Sequence, residues 1–219
     1  MQASQIDQEY SYKDSEPGHH HAYLLSPLLN LLSKKASTIN TNTEQLRILD
    51  IGCGNGSLTS IWAKQGHQVI GIEASESGVK FARQKHTNCE FVLGSVYDPV
   101  PHNFKNFFDI VISAEVIEHL YYPKQLAQYA RQCLKPHGQL IVSTPYHGYW
   151  KNLILAASGK MDRHFTALWD DGHIKFFSVN TLSNLLREEG FSNLKFNFAG
   201  RFPYLWKSML CSCSLSGNE

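Results

Sequence analysis

Long apolar runs are missing from this chain of 219 residues. The best stretches, Asp109 to Ala114 with its neighbours and Leu24 to Leu32, are too short or too interrupted to cross a bilayer. Met1 to Glu16 is polar and mixed in charge, without the apolar stretch of a signal peptide. Excess charge of one sign is missing as well. The 20 Lys and Arg residues nearly cancel the 19 Asp and Glu, so the chain lacks the global field of a dedicated nucleic-acid binder, and no basic stripe interleaved with aromatics replaces it. Cysteine is sparse. The five residues, Cys53, Cys89, Cys133, Cys211 and Cys213, are odd in number and scattered, which argues against a disulfide scaffold. The close pair Cys211 and Cys213 reads as strand packing rather than a metal site, and a cytoplasmic, reducing compartment is the expectation.

What is present is a globular balance, 42% hydrophobic and 18% charged, enough for a sizeable core. Residues 1–18 lack periodicity and hold Pro17 and Gly18, so they are expected to be a flexible arm. Residues 19–219 are expected to form one domain. Apolar positions at Tyr23, Leu24, Leu28, Leu31 and Leu32 predict a helix from His19 to about Ala36, with Pro27 kinking it or marking its true start. The core then alternates. Strands are expected at Arg47–Ile51, Gln68–Ile72, Cys89–Leu93, Phe108–Ser113 and Gln139–Thr144, and helices at Ser57–Gln65, Ser75–Lys85 and Pro123–Leu134. After a helix at Val179–Glu189 come two strand-like runs, Phe191–Ala199 and Tyr204–Ser214, with no helix between them. The predicted fold is therefore α/β: a Rossmann-like, seven-stranded, mostly parallel sheet with helices on both faces and a C-terminal antiparallel hairpin.

The most informative segment is Leu49-Asp50-Ile51-Gly52-Cys53-Gly54-Asn55-Gly56, between the first strand and its helix. Glycines there let the chain turn sharply and let a ligand approach the backbone. A dinucleotide loop would read G-x-G-x-x-G; this one reads G-x-G-x-G behind an acid, and Asp50 suits an ammonium group better than a pyrophosphate. Glu73 ends the second strand about twenty residues on, where an acid can accept hydrogen bonds from ribose hydroxyls. Asp50 through Gly56 resembles motif I of the class I S-adenosylmethionine-dependent methyltransferases, and Glu73 matches that family's ribose-binding acid. The chain is similar in particular to its type 11 and type 23 members and to the ubiquinone-biosynthesis O-methyltransferases.

The resemblance implies S-adenosyl-L-methionine as cofactor and S-adenosyl-L-homocysteine as product. The implied cofactor residues are Asp50, Gly52, Cys53, Gly54 and Gly56 in the loop, Glu73 and Ala74 after the second strand, Ser95 and Val96 after the third, and Ser113 and Glu115 after the fourth. Ser95 stands where many relatives carry an aspartate that meets the adenine.

After the fourth strand, Glu115, Glu118 and His119 are spaced i, i+3 and i+4, so a helix there would place them on one face. Such a trio could hold a divalent metal. The segment resembles two metal-assisted branches of the family, one methylating catechol-like rings and one the 2′-OH of small RNAs, in which a later histidine, here His173, completes the site. It also resembles metal-free members in which His119 faces the acceptor. The candidate catalytic residues are His119, His173 and Glu115; the candidate metal ligands are Glu115, Glu118, His119 and His173. An insertion at about residues 145–177, rich in Tyr146, His147, Tyr149, Trp150, Phe165 and Trp169, is expected to cover an aromatic or apolar small-molecule acceptor. The alternative for its Lys151–Ala157 stretch is an amphipathic helix packed on the domain or on a membrane surface. His19, His20 and His21 either close over the cofactor or lie in solvent. Arg201, Tyr204 and Trp206 either line the pocket or bury an edge.

The leading function is thus O-methylation of a small, catechol-like or quinone-precursor acceptor. The alternatives are methylation at an N, C or RNA 2′-OH, or cofactor binding without turnover. The third glycine's position and the terminal hairpin argue against an oxidoreductase.

Overall fold

The computed structural model describes Tyr12 and residues 21–38, 45–170 and 172–215; the rest of the expected N-terminal arm, with His19 and His20, lies outside the described residues. Helix α1 (His21–Thr38) leads into β1 (Arg47–Ile51), α2 (Ser57–Lys64), β2 (Gln68–Glu73), α3 (Glu76–Lys85), β3 (Glu90–Leu93) and β4 (Phe108–Ala114). Then come α4 (Lys124–Cys133), β5 (Leu134–Pro145), α5 (Tyr149–Ala157), α6 (Met161–Phe165), α7 (Val179–Glu188), β6 (Phe191–Ala199) and β7 (Ser208–Leu215). The sheet has seven strands in the order β3-β2-β1-β4-β5-β7-β6. β1 to β5 pair in parallel, and β7 is antiparallel to both β5 and β6.

Alternation along the strands sorts their side chains onto two apolar faces. On one, Leu49 and Ile51 of β1 and Val111 of β4 pack with Leu126, Ala130 and Cys133 of α4 and Leu182, Leu185 and Leu186 of α7. On the other, Ile48, Ile110 and Ile112 pack with Leu24, Leu28, Leu31 and Leu32 of α1 and Trp62 of α2. Pro27 lies inside α1 rather than at its start. Cys211 and Cys213 are free and buried in β7, the packing role their spacing suggested.

Two strands start several residues from where the sequence reading put them, and the other strand differences are of single residues. β5 begins at Leu134 instead of Gln139, with His137 at φ +63° and a pairing shift against Phe108 and Ile110. β7 starts at Ser208 instead of Tyr204, because Arg201 (φ +61°) and Tyr204 (φ +65°) curl the chain into a wider turn that an extended strand cannot adopt. Strand order reverses at β1, whose neighbours are β2 and β4, and the carboxyl ends of strands at such a reversal are where a ligand crevice forms in open α/β sheets.

Candidate active site

The glycine loop closes over the ends of β1 and β2. Gly52 (φ +71°), Gly54 (φ +55°) and Gly56 (φ +76°) all take the left-handed conformation, in which a side chain is strained. A Cβ on Gly52 would also stand 2.4 Å from Cγ2 of Val116, so the loop lies tightly against the segment that follows β4. The N–H groups of Gly52 and Cys53 donate to the Ile72 carbonyl at 2.8 and 3.2 Å, fastening the loop to β2. Cys53 is buried, and burial pushes its thiol pKa well up, which keeps it protonated.

Glu73 is held from below. Its Oε2 accepts from the Gly54 N–H at 2.8 Å and its Oε1 from the Ser75 N–H at 2.9 Å. Burial raises its pKa and these amides counter the rise. Each oxygen keeps a second lone pair for a ligand hydroxyl. Asp50 is 2% exposed, and the Thr59 hydroxyl donates to its Oδ2 at 2.6 Å. Burial pushes the Asp50 pKa up to about 7, with Thr59 opposing and Glu73 adding to the rise. A cation brought beside it would restore the ionised form.

Ala74 is exposed at the end of β2. Beyond β3, the Ser95 N–H donates to Asp98 Oδ2 at 2.7 Å and the Asp98 N–H returns to the Ser95 carbonyl at 3.1 Å. This turn presents Val96 to the core. Ser113 is fully buried and donates to the Ile51 carbonyl at 3.1 Å, so it ties β4 to β1 instead of facing the crevice.

The structure separates Glu115 from its expected companions. Glu115 takes φ +57°, and a single 3-10 turn, Ile117–His119, follows it. No helix face unites the three residues. The Glu115 N–H donates to both the carbonyl and the hydroxyl of Ser143 at 3.1 Å, while its carboxylate accepts from Ser143 Oγ at 2.8 Å and Ser208 Oγ at 3.0 Å. The Tyr23 hydroxyl lies 3.2 Å from Ser208 Oγ. Burial raises the Glu115 pKa to about 7; the two serines and the nearby Lys151 ammonium oppose the rise. Lys151 is itself buried, donates to the Tyr146 carbonyl at 2.7 Å, and is brought down to about 8 by burial and by Arg201.

Glu118, His119 and His173 do converge, with one ligand atom from each lying within 4.8 Å of the others. The insertion brings His173 there because the N–H groups of Ile174 and Lys175 donate to the Glu118 carbonyl at 3.0 and 2.9 Å. The His119 and His173 rings stand edge to face at 4.9 Å, with Trp169 beside both. Glu118 is fully buried; the Thr144 hydroxyl lies close enough to favour its ionised form, but neither carboxylate oxygen has a well-aligned hydrogen bond among the described residues. Burial and the Glu115 charge push its pKa well up. Burial and the neighbouring His119 lower the His173 pKa to about 4, so His173 is neutral near pH 7.

Aromatic side chains gather in two groups, one within the insertion and one where its Tyr146 meets β6 and the turn that follows it. His147 stacks on Phe165 (5.9 Å, 17°), and Phe176 stands edge-on to both. Phe198 stacks on Trp206 (4.1 Å, 18°), flanked by Tyr146 and Tyr204. Tyr149 and Trp150 of α5 are 73% and 55% exposed and stand against each other rather than joining either group. Sequence reasoning missed Thr59, Ser143, Ser208 and Tyr23, whose roles come from strand pairing and helix packing. Lys151 carried a faint signal, as a cation within an aromatic insertion.

Comparison with known proteins decides the family. A methyltransferase domain family matches residues 18–195. This chain belongs to the class I S-adenosylmethionine-dependent methyltransferases. It is 30% identical over 188 residues to the ubiquinone biosynthesis O-methyltransferase of Roseobacter denitrificans, covering 80% of this chain and 69% of that one. It is 35% identical over 121 residues to the enzyme of the same name from Bradyrhizobium diazoefficiens, covering 52% and 45%. The chain spans about half the length of the first curated relatives it matches. Phosphoethanolamine N-methyltransferase 2 of Haemonchus contortus, solved with S-adenosyl-L-methionine, shares the fold at a TM-score of 0.60 and 14% identity over 86% of this methyltransferase chain and 53% of its own. No described helix of the methyltransferase is long and apolar enough to cross a membrane.

Proposed function

We propose that this methyltransferase transfers a methyl group to a hydroxyl oxygen of a small aromatic acceptor, of the catechol or quinone-precursor class. The observation that carries the reading is the convergence of Glu118, His119 and His173 within 4.8 Å, on the chain that follows the crevice strand β4. The name shared by the Roseobacter and Bradyrhizobium relatives supports a quinone-precursor acceptor.

The bound cofactor supplies a methyl group on a positively charged sulfur and leaves as S-adenosyl-L-homocysteine. Glu73 would hold the two ribose hydroxyls, Asp50 would face the cofactor's ammonium group, and the loop from Gly52 to Gly56 would give its methionine part close access to the backbone. Ala74, Ser95 and Val96 border the adenine. Burial adjusts Asp50 to this task, since its pKa of about 7 drops when a cation arrives. His173, neutral near pH 7, or the adjacent His119 would take the proton of the acceptor hydroxyl during methyl transfer. Holding acceptor and donor in line supplies most of the acceleration, because the donor is already activated.

The same residues fit a divalent metal. Glu118 offers a buried carboxylate with no well-aligned hydrogen bond among the described residues, and two imidazoles complete a set suited to a borderline cation. Glu118, His119 and His173 would hold it, and its chemistry would be to lower the pKa of an acceptor hydroxyl. Glu115 is committed to Ser143 and Ser208 and stays outside this set.

Calorimetric titration with S-adenosyl-L-methionine, before and after chelation and with Mg²⁺, Mn²⁺ or Zn²⁺ restored, tests the reading. Binding on the order of micromolar is expected, with turnover of a catechol acceptor. His119→Ala should abolish turnover and leave cofactor affinity within about threefold, a loss confined to the chemical step. Absence of cofactor binding in every condition would overturn the assignment of the crevice. Loss of binding together with turnover in the variant would make His119 structural.

A further inference from the structure

Tyr12 is the only residue before α1 that the structure describes, and its position is specific. Its backbone N–H donates to Ser77 Oγ at 3.0 Å. That hydroxyl lies 2.9 Å from Ser75 Oγ, and the Ser75 N–H holds Glu73 at 2.9 Å. The ring lies against two glycines from different elements. A Cβ on Gly54 would stand 2.5 Å from Tyr12 Oη and 2.9 Å from Cζ; a Cβ on Gly78 would stand 3.0 Å from both Cδ2 and Cε2 and 3.2 Å from Cγ of Glu73.

Gly54 has its own reason to be glycine, the left-handed backbone of the loop. Gly78 has none of that kind. It sits in the first turn of α3 without positive φ, where glycine is less favourable than alanine. Contact with the Tyr12 ring, and less closely with Cγ of Glu73, supplies the missing reason, since a methyl group there would press on both. Two glycines and a main-chain hydrogen bond thus fit Tyr12 to the rim of the crevice, beside Glu73.

We propose that Tyr12 is a cofactor-positioning residue whose ring roofs the ribose end of the crevice between Gly54, Gly78 and Glu73. The proposal rests on the crevice being the cofactor site. A ring in that place keeps water from the hydrogen bonds of the Glu73 carboxylate, which strengthens them, and it must move aside before the ligand leaves. Its main effect is therefore on dissociation.

The test measures S-adenosyl-L-homocysteine affinity and dissociation rate on the full chain, comparing wild type with Tyr12→Ala, Tyr12→Phe and Gly78→Ala. Tyr12→Ala should weaken binding about tenfold, chiefly through faster release, the size of one aromatic contact. Tyr12→Phe keeps the ring and should bind within about threefold of wild type. Gly78→Ala should weaken binding more when Tyr12 is present than once Tyr12 is already alanine, where only Cγ of Glu73 at 3.2 Å is left for the new methyl group to meet, a coupling that independent sites do not show. In the Tyr12→Ala background, Gly78→Ala should raise the melting temperature, as a better helix former with no ring to meet. Unchanged or tighter binding by Tyr12→Ala would overturn the proposal, tighter binding meaning that the ring stands in the ligand's own place. Additive effects of the two substitutions would overturn it too. A wild-type chain that fails to bind at all would instead overturn the reading of the crevice, and Tyr12's role with it.

Discussion

Single residues carry most of the chemistry, and the sequence made some of them readable because their identity is unusual for their place. Asp50 and Glu73 are acids ending buried strands, where an ionisable group needs a reason. The reason differs between the two. Glu73 rests on two backbone amides, whereas Asp50 has the Thr59 hydroxyl. Glu73→Gln replaces one accepting oxygen by a donor that faces an amide, so cofactor affinity should fall about tenfold or more, as for a lost charged hydrogen bond. Thr59→Val removes the hydroxyl that favours ionised Asp50, and should cost about 1 to 3 kcal/mol in chemical denaturation. Full stability in that variant would mean that Asp50 is already neutral and needs no donor. Thr59 itself gave no signal, since a threonine on an apolar helix face looks like packing until its strand partner is known.

At the scale of elements, periodicity located the alternating strands and helices, but it misread the segment after β4. Glu115, Glu118 and His119 have helical spacing, yet Glu115 at φ +57° turns the chain before a helix can start. A non-glycine residue in that conformation is held by its surroundings, and here Ser143 and Ser208 of β5 and β7 hold it. Neither serine is near it in sequence. Local signals worked better where the stabilising contact is itself local. Ser178 and Thr181 form a reciprocal capping box at the start of α7, the helix that covers one face of the sheet. Ser178→Ala should lower stability by about 1 kcal/mol, read as a lower denaturation midpoint at unchanged slope.

At the scale of the whole molecule, the buried acids and bases give a pH dependence whose sign can be worked out. Asp50 and Glu115, each raised to about 7, bind more protons in the native state than unfolded, so between their unfolded values and about pH 7 they make stability fall as pH rises. His147 and His173, each lowered to about 4, act oppositely between about pH 4 and their unfolded value near 6.5. The two sets oppose each other in acid. Between about pH 6.5 and about pH 7.5 the carboxylates outweigh Lys151, whose proton loss near pH 8 acts in the opposite sense, so melting temperature should decline over that interval, and Asp50→Asn should reduce that decline. A melting temperature that rises over this range in the wild type would show that the acids are ionised throughout. The sequence by itself determined the strand and helix order, the closing antiparallel hairpin, the glycine loop and the two acids behind the cofactor reading, because these depend on local conformation and on period. Tertiary structure decided which side chains meet: Glu118 and His119 joined by His173 while Glu115 turned to two serines, and Tyr12 laid on Gly54 and Gly78. Such meetings depend on strand order and on one left-handed residue, and the spacing of letters along the chain records neither.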